Sequence, residues 1–322
     1  MKIAVLLPCY NEELTIGKVI NDFRRELPTA DIYVYDNNSS DRTSEVAREH
    51  GAIVRFEPRQ GKGNVVRSMF RHIDADVYVM ADGDDTYPAE FVHEIIRPVV
   101  EGKANLVIGD RLSNGTYFNE NKRQFHGFGN TLVKNLINRL YKSNITDIMT
   151  GYRAFDRLFV KSMPVTSPGF EIETEMSIHA LDHKFLIKEV AIDYRDRPEG
   201  SESKLNTVQD GIKVLKMIFT LFKDYKPLLF FTTWAAIFFV LGLAVGTPVI
   251  VEYVQSTFIT KVPSAILAVG LVMLSMLSFA SGLILDTVAG THRKHYELEL
   301  NAIMDRINHE KSAGARAKQE TL

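Results

Sequence analysis

VYVMADGDD, residues 77–85, is the stretch that decides the interpretation of this chain. Its four apolar residues predict a buried strand, and the turn that follows carries three carboxylates, Asp82, Asp84 and Asp85. Carboxylates gathered in water-poor surroundings repel one another unless a cation lies between them. Mg²⁺ or Mn²⁺ prefers such oxygen ligands and often completes its shell with phosphate oxygens. The turn is therefore a candidate anchor for a diphosphate, although taken alone it is also typical of a solvated loop.

Short apolar runs alternate with helical patterns on both sides of this stretch. This alternation is typical of βαβ units, so residues 1–205 are predicted to form an α/β domain with a mostly parallel sheet. The candidate strands are Lys2–Leu7, Asp31–Tyr35, Ala52–Phe56, Val77–Met80 and Leu106–Ile108, and the candidate helices are Ile16–Glu26, Thr43–Glu49, Gly63–His72 and Pro88–Val99.

Polar clusters follow the other predicted strands as well. Pro8-Cys9-Tyr10-Asn11-Glu12 follows the first strand, the stretch from Asp36 to Asp41 follows the second, and Gln60-Gly61-Lys62-Gly63 opens a helix. Ligands of open α/β sheets bind at these carboxyl ends of strands. Individually, the aspartates also suit turns and helix caps, and Lys62 suits either an anion contact at a helix N-terminus or a plain flexible turn.

Taken in order, these clusters resemble the family 2 glycosyltransferases with the GT-A fold, which is Rossmann-like. Three further stretches resemble the dolichyl- or undecaprenyl-phosphate sugar transferases within that family: Thr150-Gly151-Tyr152-Arg153, residues 169–175 (GFEIETE) and residues 197–204 (RPEGSESK). The resemblance covers residues 1–205. It implies an inverting transfer of a sugar from a nucleotide-sugar to a polyprenyl phosphate, with UDP-glucose or UDP-N-acetylglucosamine favoured and GDP-mannose as the alternative.

The resemblance also implies roles for the donor site. Base and ribose would be bound by Pro8, Tyr10, Glu12 and Asp36, with Lys62 near the nucleotide. Asp84 would ligate a divalent cation, Mg²⁺ or Mn²⁺, and Asp82 would contact the metal, its bound water or the ribose. One position departs from the family pattern, because Thr86 stands where relatives often have Gln. Asp85 or water is then the candidate for the remaining coordination.

Cations are expected around the acceptor phosphate, since two anions must be held together and planar guanidinium groups suit phosphate. The candidates are Arg111, Arg123, Arg153, Arg195, Arg197, Ser203 and Lys204, of which Arg111, Arg197 and Lys204 are also expected to act in catalysis. By the resemblance, Asp147 matches a carboxylate that acts as base or orients the acceptor. An alkyl phosphate with a second pKa of about 6 is already an oxyanion at neutral pH and needs no strong base.

Two long apolar runs follow the predicted α/β domain. Residues 228–251 and 264–288 are predicted to be membrane-spanning helices, because each exceeds the length that a hydrocarbon core of about 30 Å requires. Buried core helices are the alternative. Lysines precede the first run and Arg293 and Lys294 follow the second, so the positive-inside rule places the catalytic domain and both termini in the cytoplasm, at the cell (inner) membrane.

The flanking segments complete the predicted organisation. Residues 206–227 form an amphipathic pattern that suits an interfacial helix at the membrane, with a helix on the globular domain as the alternative. Residues 289–322 are predicted to be a cytoplasmic helix and tail, whose apolar stripe at Tyr296, Leu300, Ile303 and Ile307 suits either a homo-oligomer or docking on the domain.

Composition excludes several classes of function. With 38 Lys and Arg against 40 Asp and Glu, the chain lacks the basic field that non-specific nucleic-acid binding needs. Cys9, the only cysteine, excludes a disulfide framework. Two rival functions stay open: a processive polysaccharide synthase, although the Gln-x-x-Arg-Trp motif is missing, and a catalytically silent membrane scaffold, which would need neither Asp82 nor Asp84.

Overall fold

The computed structural model describes residues 1–115, 126–198, 216, 219–220 and 222–320. The chain divides into two units, one of residues 1–214 with 299–322 and one of residues 215–298.

Strands of the first unit form one mixed sheet. Within the described residues they are β1 (Ile3–Cys9), β2 (Asp31–Asp36), β3 (Ile53–Phe56), β4 (Val77–Met80), β5 (Leu106–Asp110), β6 (Arg153–Asp156) and β7 (Ile187–Ala191). Their order across the sheet is β3-β2-β1-β4-β6-β5-β7. Only β6 runs antiparallel to its neighbours β4 and β5, and the other pairs are parallel. The predicted mostly parallel α/β fold is confirmed.

Helices flank the sheet on the connections between strands. They are α1 (Ile16–Glu26), α2 (Thr43–Glu49), α3 (Lys62–His72), α4 (Val92–Val100, after a 3₁₀ turn at Ala89–Phe91), α5 (His126–Tyr141), α6 (Arg157–Ser162) and α7 (Ile172–Asp182). Helix α1 buries Ile16, Val19, Ile20 and Phe23, the spacing of one helical face, against the sheet. Its last turn carries Arg24 and Arg25, whose positive charges interact favourably with the negative end of the helix dipole.

Strands β1 and β4 lie in the middle of the sheet and read as nearly continuous apolar runs. Both faces of a parallel sheet are covered by helices, so every residue of β4 and nearly every residue of β1 is buried. The predicted bounds of β4, α1 and α2 coincide with the observed ones. The helix predicted at Pro88–Val99 instead begins at Val92, because Pro88 is extended and a 3₁₀ turn precedes the helix.

The order of strands brings five chain segments that frame the crevice to one edge of the sheet. Strands β1, β2, β4 and β5 end there, and β6 begins there because it is antiparallel, with Arg153 opposite both Met80 and Ile108. The chain reverses its winding direction between β1 and β4, and such a switch point opens a crevice at the carboxyl ends of the strands. The polar clusters noted in the sequence follow these ends.

The second unit contains two long apolar helices, α8 (Pro227–Ser256) and the first part of α9 (Val262–Glu320). Both are long and apolar enough to cross a membrane, and they indicate that the protein is membrane-associated. They include the predicted spans 228–251 and 264–288. Helix α9 continues past residue 288 without a break, since good helix formers follow. The predicted interfacial helix at 206–227 lies mostly outside the described residues.

Close approach of α8 and α9 depends on small residues. Ser275 donates a hydrogen bond to the carbonyl of Ala235 on the other helix, 2.8 Å away. A Cβ on Gly242 would lie 3.0 Å from Val272, so the glycine sets the helix separation there. Small residues and interhelical hydroxyl bonds are typical of helix pairs packed in lipid.

Candidate active site

The acidic turn after β4 is pressed against the end of β1. A Cβ on Gly83 would lie 2.6 Å from the Cys9 sulfur, so glycine is required between the two carboxylates. The Gly83 carbonyl accepts a hydrogen bond from the Thr15 hydroxyl at 2.7 Å, which fixes the turn to the start of α1. These contacts hold Asp82 and Asp84 at the carboxyl edge of the sheet.

Thr86, the departure from the family pattern, orients Asp84. Its hydroxyl and backbone N–H donate to Asp84 Oδ1 at 2.6 and 3.2 Å. Asp85 does not join them, because its backbone is left-handed (φ 61°) and its carboxylate pairs with Lys18 at 2.6 Å. Thr86 thus stabilises the buried carboxylate that the sequence identified as the main metal ligand.

Asp84 lies in surroundings that disfavour its own negative charge. It is 4% exposed. Burial and the neighbouring charge of Asp82 raise the pKa of Asp84, against the opposing effects of Arg197 and the Thr86 hydrogen bonds. A carboxylate in this position is stabilised by any cation that reaches it.

Lys62 lies between two carboxylates at the start of α3. Its ammonium group pairs with Asp82 and with Glu173 Oε1, the latter at 2.5 Å. Burial lowers the pKa of Lys62, but the two carboxylates outweigh it and raise the pKa above its ordinary value. Gly151 packs against the Lys62 ammonium group, since a Cβ at Gly151 would lie 3.0 Å from Lys62 Nζ. Lys62 is therefore a cation at neutral pH, held between Asp82 and Glu173.

Glycines at the N-terminus of α3 allow that placement. A Cβ on Gly63 would lie 1.9 Å from the Ser167 carbonyl, and one on Gly61 (φ 125°) 2.2 Å from the Pro168 carbonyl. The N–H of Gly63 donates to Gly169 O at 3.2 Å. The helix start is thereby docked on the loop before α7, the helix that carries Glu173.

Arg197 holds the second carboxylate. Its Nη2 lies 2.5 Å from Asp84 Oδ2 and its Nη1 lies 3.7 Å from Glu12 Oε1. Among the described residues, no group of three or more His, Cys, Asp or Glu side chains is arranged to hold a metal ion. The two carboxylates contact side-chain cations instead, Lys62 at Asp82 and Arg197 at Asp84.

A buried ion pair lies after β5. Arg111 donates to Asp147 through Nε at 2.7 Å, Nη2 at 3.0 Å and its backbone N–H at 3.3 Å. Its Nη1 donates to the Tyr87 hydroxyl at 3.3 Å, which also accepts the N–H of Gly151 at 2.8 Å. Burial raises the pKa of Tyr87 to about 12. Asp147 is fully buried, and Glu189 fixes its backbone by accepting its N–H at 3.1 Å.

The structure does not bring Arg153 to the surface of the crevice. Its side chain is 0% exposed, and it donates to the carbonyls of Thr150 and Ile148 and to the Ser177 hydroxyl. Burial lowers the pKa of Arg153 to about 10. These contacts organise the turn between Asp147 and β6. Direct contact with an acceptor phosphate would require this buried network to break.

The predicted nucleotide side chains lie at the ends of β1 and β2. Pro8 is buried and Tyr10 is exposed. Asp36 accepts hydrogen bonds from Ser39 N–H at 3.0 Å and the Ser44 hydroxyl at 2.7 Å, so it also caps its loop.

Asn37 ties the end of β2 to the loop before α3. Its amide donates to the carbonyls of Glu57 and Arg59, and its Oδ1 accepts from Gly61 N–H at 2.6 Å. It positions the loop that precedes Lys62.

The remaining predicted acceptor residues are peripheral or not described. Arg195 donates to Glu90 Oε1 at 3.2 Å, and its backbone N–H donates to Thr86 O at 3.1 Å. Arg123, Ser203 and Lys204 lie outside the described residues. Sequence reasoning missed Tyr87 and Asn37 as positioning residues. Glu173, the second carboxylate at Lys62, lies in a stretch quoted for the resemblance.

Comparison with known proteins decides the family. Residues 4–163 match the family described as Glycosyl transferase family 2. Glycosyltransferase AglJ of Haloferax volcanii is 32% identical over 297 residues, covering 91% of this chain and 95% of the relative. The chain belongs to glycosyl transferase family 2. A second relative from the same organism, named dolichyl-phosphate hexose transferase, is 32% identical over 67% of this chain and 92% of its own length.

Solved structures show the same fold at lower identity. Glucosyl-3-phosphoglycerate synthase from Mycobacterium tuberculosis, in complex with Mn²⁺, UDP and glucosyl-3-phosphoglycerate, superimposes with a TM-score of 0.56 at 23% identity. The match covers 69% of this chain and 79% of that one. The GT-A-like fold expected from the sequence is confirmed, and this family 2 protein is a glycosyltransferase.

Proposed function

We propose that this glycosyltransferase moves a sugar from a nucleotide-sugar to a polyprenyl phosphate at the membrane, with inversion and release of a nucleoside diphosphate. The observation that carries the proposal is the alternation of carboxylates and cations at one edge of the sheet, where Asp82 and Asp84 face Lys62 and Arg197. A reaction between two phosphate-bearing substrates needs this kind of site, because their charges must be balanced at close range.

A divalent cation fits the acidic turn. Burial and Asp82 raise the pKa of Asp84, so a cation at this carboxylate would stabilise its charged form. Asp84 and Asp82 would hold Mg²⁺ or Mn²⁺, with donor phosphates and water completing the shell. The solved neighbour named above contains Mn²⁺ with UDP. Bound in this way, the ion would offset negative charge on the leaving diphosphate.

The donor would lie across the ends of β1 and β2. Pro8, Tyr10, Glu12 and Asp36 are the proposed contacts to base and ribose, and Lys62 is the proposed cation near the nucleotide. UDP-glucose or UDP-N-acetylglucosamine is the proposed donor, with GDP-mannose as the alternative.

Arg111 is the cation proposed to meet the acceptor phosphate, together with Arg197, Arg195, Ser203 and Lys204. We assign Asp147 a positioning role, because its carboxylate accepts three hydrogen bonds from Arg111 and is fully buried. A phosphate acceptor with a second pKa of about 6 supplies its own oxyanion, so the reaction does not require Asp147 as a base. Arg153 is assigned to the structure of the turn.

The acceptor assignment rests on the lipid environment. Two helices long enough to span a membrane follow the catalytic domain, and one relative is named as a dolichyl-phosphate hexose transferase. We propose a catalytic domain of residues 1–205 in the cytoplasm, an interfacial segment at 206–227 and spans at 228–251 and 264–288. The polyprenyl phosphate head group would then meet the site at the membrane surface. A homo-oligomer through residues 289–322 stays a prediction.

The test is transfer into lipid. Purified full-length protein in detergent, given Mn²⁺, polyprenyl phosphate and a panel of radiolabelled UDP- and GDP-sugars, is expected to form an organic-extractable product with one sugar. Asp84→Asn and chelation are expected to abolish it, while Asp31→Asn, at the start of β2 and so at the opposite end of that strand from the site, serves as a matched control. Lack of lipid product with every sugar would refute the acceptor class, and full turnover by Asp84→Asn would refute the metal assignment.

A further inference from the structure

Arg197 lies where a divalent cation would also have to bind. Asp84 Oδ1 already accepts both Thr86 hydrogen bonds, so Oδ2 is the oxygen that faces a cation, and Arg197 Nη2 is 2.5 Å from it. Glu12, the second carboxylate near the guanidinium, is also buried. The Arg197 side chain itself is 23% exposed, so it can leave without disturbing the core.

We propose that Arg197 is the resident counter-cation of the donor-free site and that the divalent ion displaces it from Asp84. The inference rests on the proposed function and adds to it a resting state of the donor site. Two cations cannot share one oxygen at contact distance in a buried site, since their mutual repulsion is strong where the effective dielectric constant is low. A divalent ion arriving with a diphosphate brings twice the charge of Arg197 to Asp84. It also brings the phosphate anions that a released guanidinium prefers.

Displacement of Arg197 would leave the chain before it in place. Two residues earlier, the backbone N–H of Arg195 donates to Thr86 O at 3.1 Å and its guanidinium donates to Glu90. This anchor does not involve Asp84. Displacement of Arg197 from Asp84 therefore leaves the backbone at Arg195 and the acidic turn in place.

The experiment measures Mn²⁺ affinity in the absence of nucleotide, from the electron paramagnetic resonance signal of the free ion, on full-length protein in detergent. Arg197→Gln is expected to bind Mn²⁺ about ten-fold more tightly than the wild type, because one charge-assisted contact no longer competes. Arg197→Lys keeps the positive charge and is expected to stay near the wild-type affinity. Arg157→Gln, at the start of α6 where the guanidinium pairs with Asp74 away from the acidic turn, is the matched control and is expected to leave the Mn²⁺ affinity unchanged.

Unchanged or weaker Mn²⁺ affinity in Arg197→Gln, including no measurable binding by either protein, would overturn the inference. A parallel titration with UDP present separates this failure from that of the proposed function. If Asp84→Asn then binds Mn²⁺ as tightly as the wild type, the metal assignment itself is wrong. If Asp84→Asn loses Mn²⁺ while Arg197→Gln gains none, only the counter-cation role of Arg197 is wrong.

Discussion

Replacing Asp147 with asparagine removes the negative charge from the buried ion pair with Arg111 and leaves the shape of the side chain almost unchanged. The guanidinium then remains buried beside Tyr87 with no compensating carboxylate. Breaking a buried ion pair by removing one partner costs about 3–5 kcal/mol. The amide keeps one acceptor oxygen for Arg111 but turns a donor toward the other nitrogen, so we expect a loss of about 3 kcal/mol in the free energy of unfolding.

Thermal unfolding of the purified protein in detergent measures this loss. For a domain of this size each kcal/mol lowers the midpoint by about 2–4 °C, so Asp147→Asn is expected to melt about 6–12 °C below the wild type. Arg111→Met alone leaves the Asp147 carboxylate buried without a counter-ion and is expected to lower the free energy of unfolding by a similar amount. The double variant Arg111→Met with Asp147→Leu removes both charges, and we expect it to recover most of the stability.

The kinetics of the Asp147→Asn variant distinguish a positioning role of Asp147 from a role as a catalytic base. If Asp147 positions Arg111, Asp147→Asn is expected to raise the KM for polyprenyl phosphate, and the pH–rate profile is expected to keep the shape set by the acceptor phosphate. A midpoint within about 1 °C of the wild type would refute the stability argument, because it corresponds to well under 1 kcal/mol. Loss of the pH dependence of kcat, with the KM for the acceptor unchanged, would identify Asp147 as the base instead.

Three further predictions concern the donor side and the core. Gly63→Ala would place a Cβ 1.9 Å from the Ser167 carbonyl, so we expect it to lower the thermal midpoint and weaken UDP binding, both measurable by differential scanning fluorimetry. Thr86→Val removes the 2.6 Å hydrogen bond to Asp84, and we expect several-fold weaker Mn²⁺ affinity with UDP present in a titration calorimetry experiment. Burial lowers the pKa of His179 to about 3, whereas an unfolded histidine has a pKa of about 6.5. Below pH of about 6.5 the unfolded chain therefore binds more protons than the folded protein. The free energy of unfolding is expected to fall by up to about 1.4 kcal/mol per pH unit as the pH drops below that value.

Each of these predictions has a matched control. Gly290→Ala, in helix α9 with nothing within 4 Å of the added Cβ, tests the helical backbone effect without a clash; equal loss in both glycine variants would contradict the steric argument. Thr86→Ser keeps the hydroxyl and is expected to restore Mn²⁺ affinity. His179→Gln is expected to remove the acid sensitivity between pH 6.5 and 5.5, whereas an unchanged pH slope would show that other groups cause it.

The parts of the fold that depend on local pattern were predictable from the sequence. The strand at Val77–Met80 and the helix at Ile16–Glu26 were predicted with their observed bounds, because continuous burial and a single buried helical face both leave clear periodicity. Strand β6 was not predicted. Its four residues, Arg153–Asp156, include two charged side chains, and only the tertiary structure shows that Arg153 is buried by hydrogen bonds to a neighbouring turn.

The candidate site was predictable as a set of segments and less so as a set of contacts. The positions of Asp82, Asp84 and Lys62 after strands or before a helix follow from the sequence, because parallel strands end at one edge. Which cation meets which carboxylate does not follow from the sequence. Lys62 contacts Glu173 and Arg197 contacts Asp84 across 111 and 113 residues, and such pairs depend on how distant loops pack.

The place of β6 in the sheet also has a consequence for synthesis on the ribosome. The strand lies between β4 and β5 although it is made after both, so β4 has one unpaired edge and β5 has two until residue 156 has emerged. Unpaired strand edges are sites of misassembly in a nascent chain. The first apolar helix begins at Pro227, well after β7 ends at Ala191. The order of elements therefore lets the sheet close before the hydrophobic helices emerge to commit the chain to the membrane.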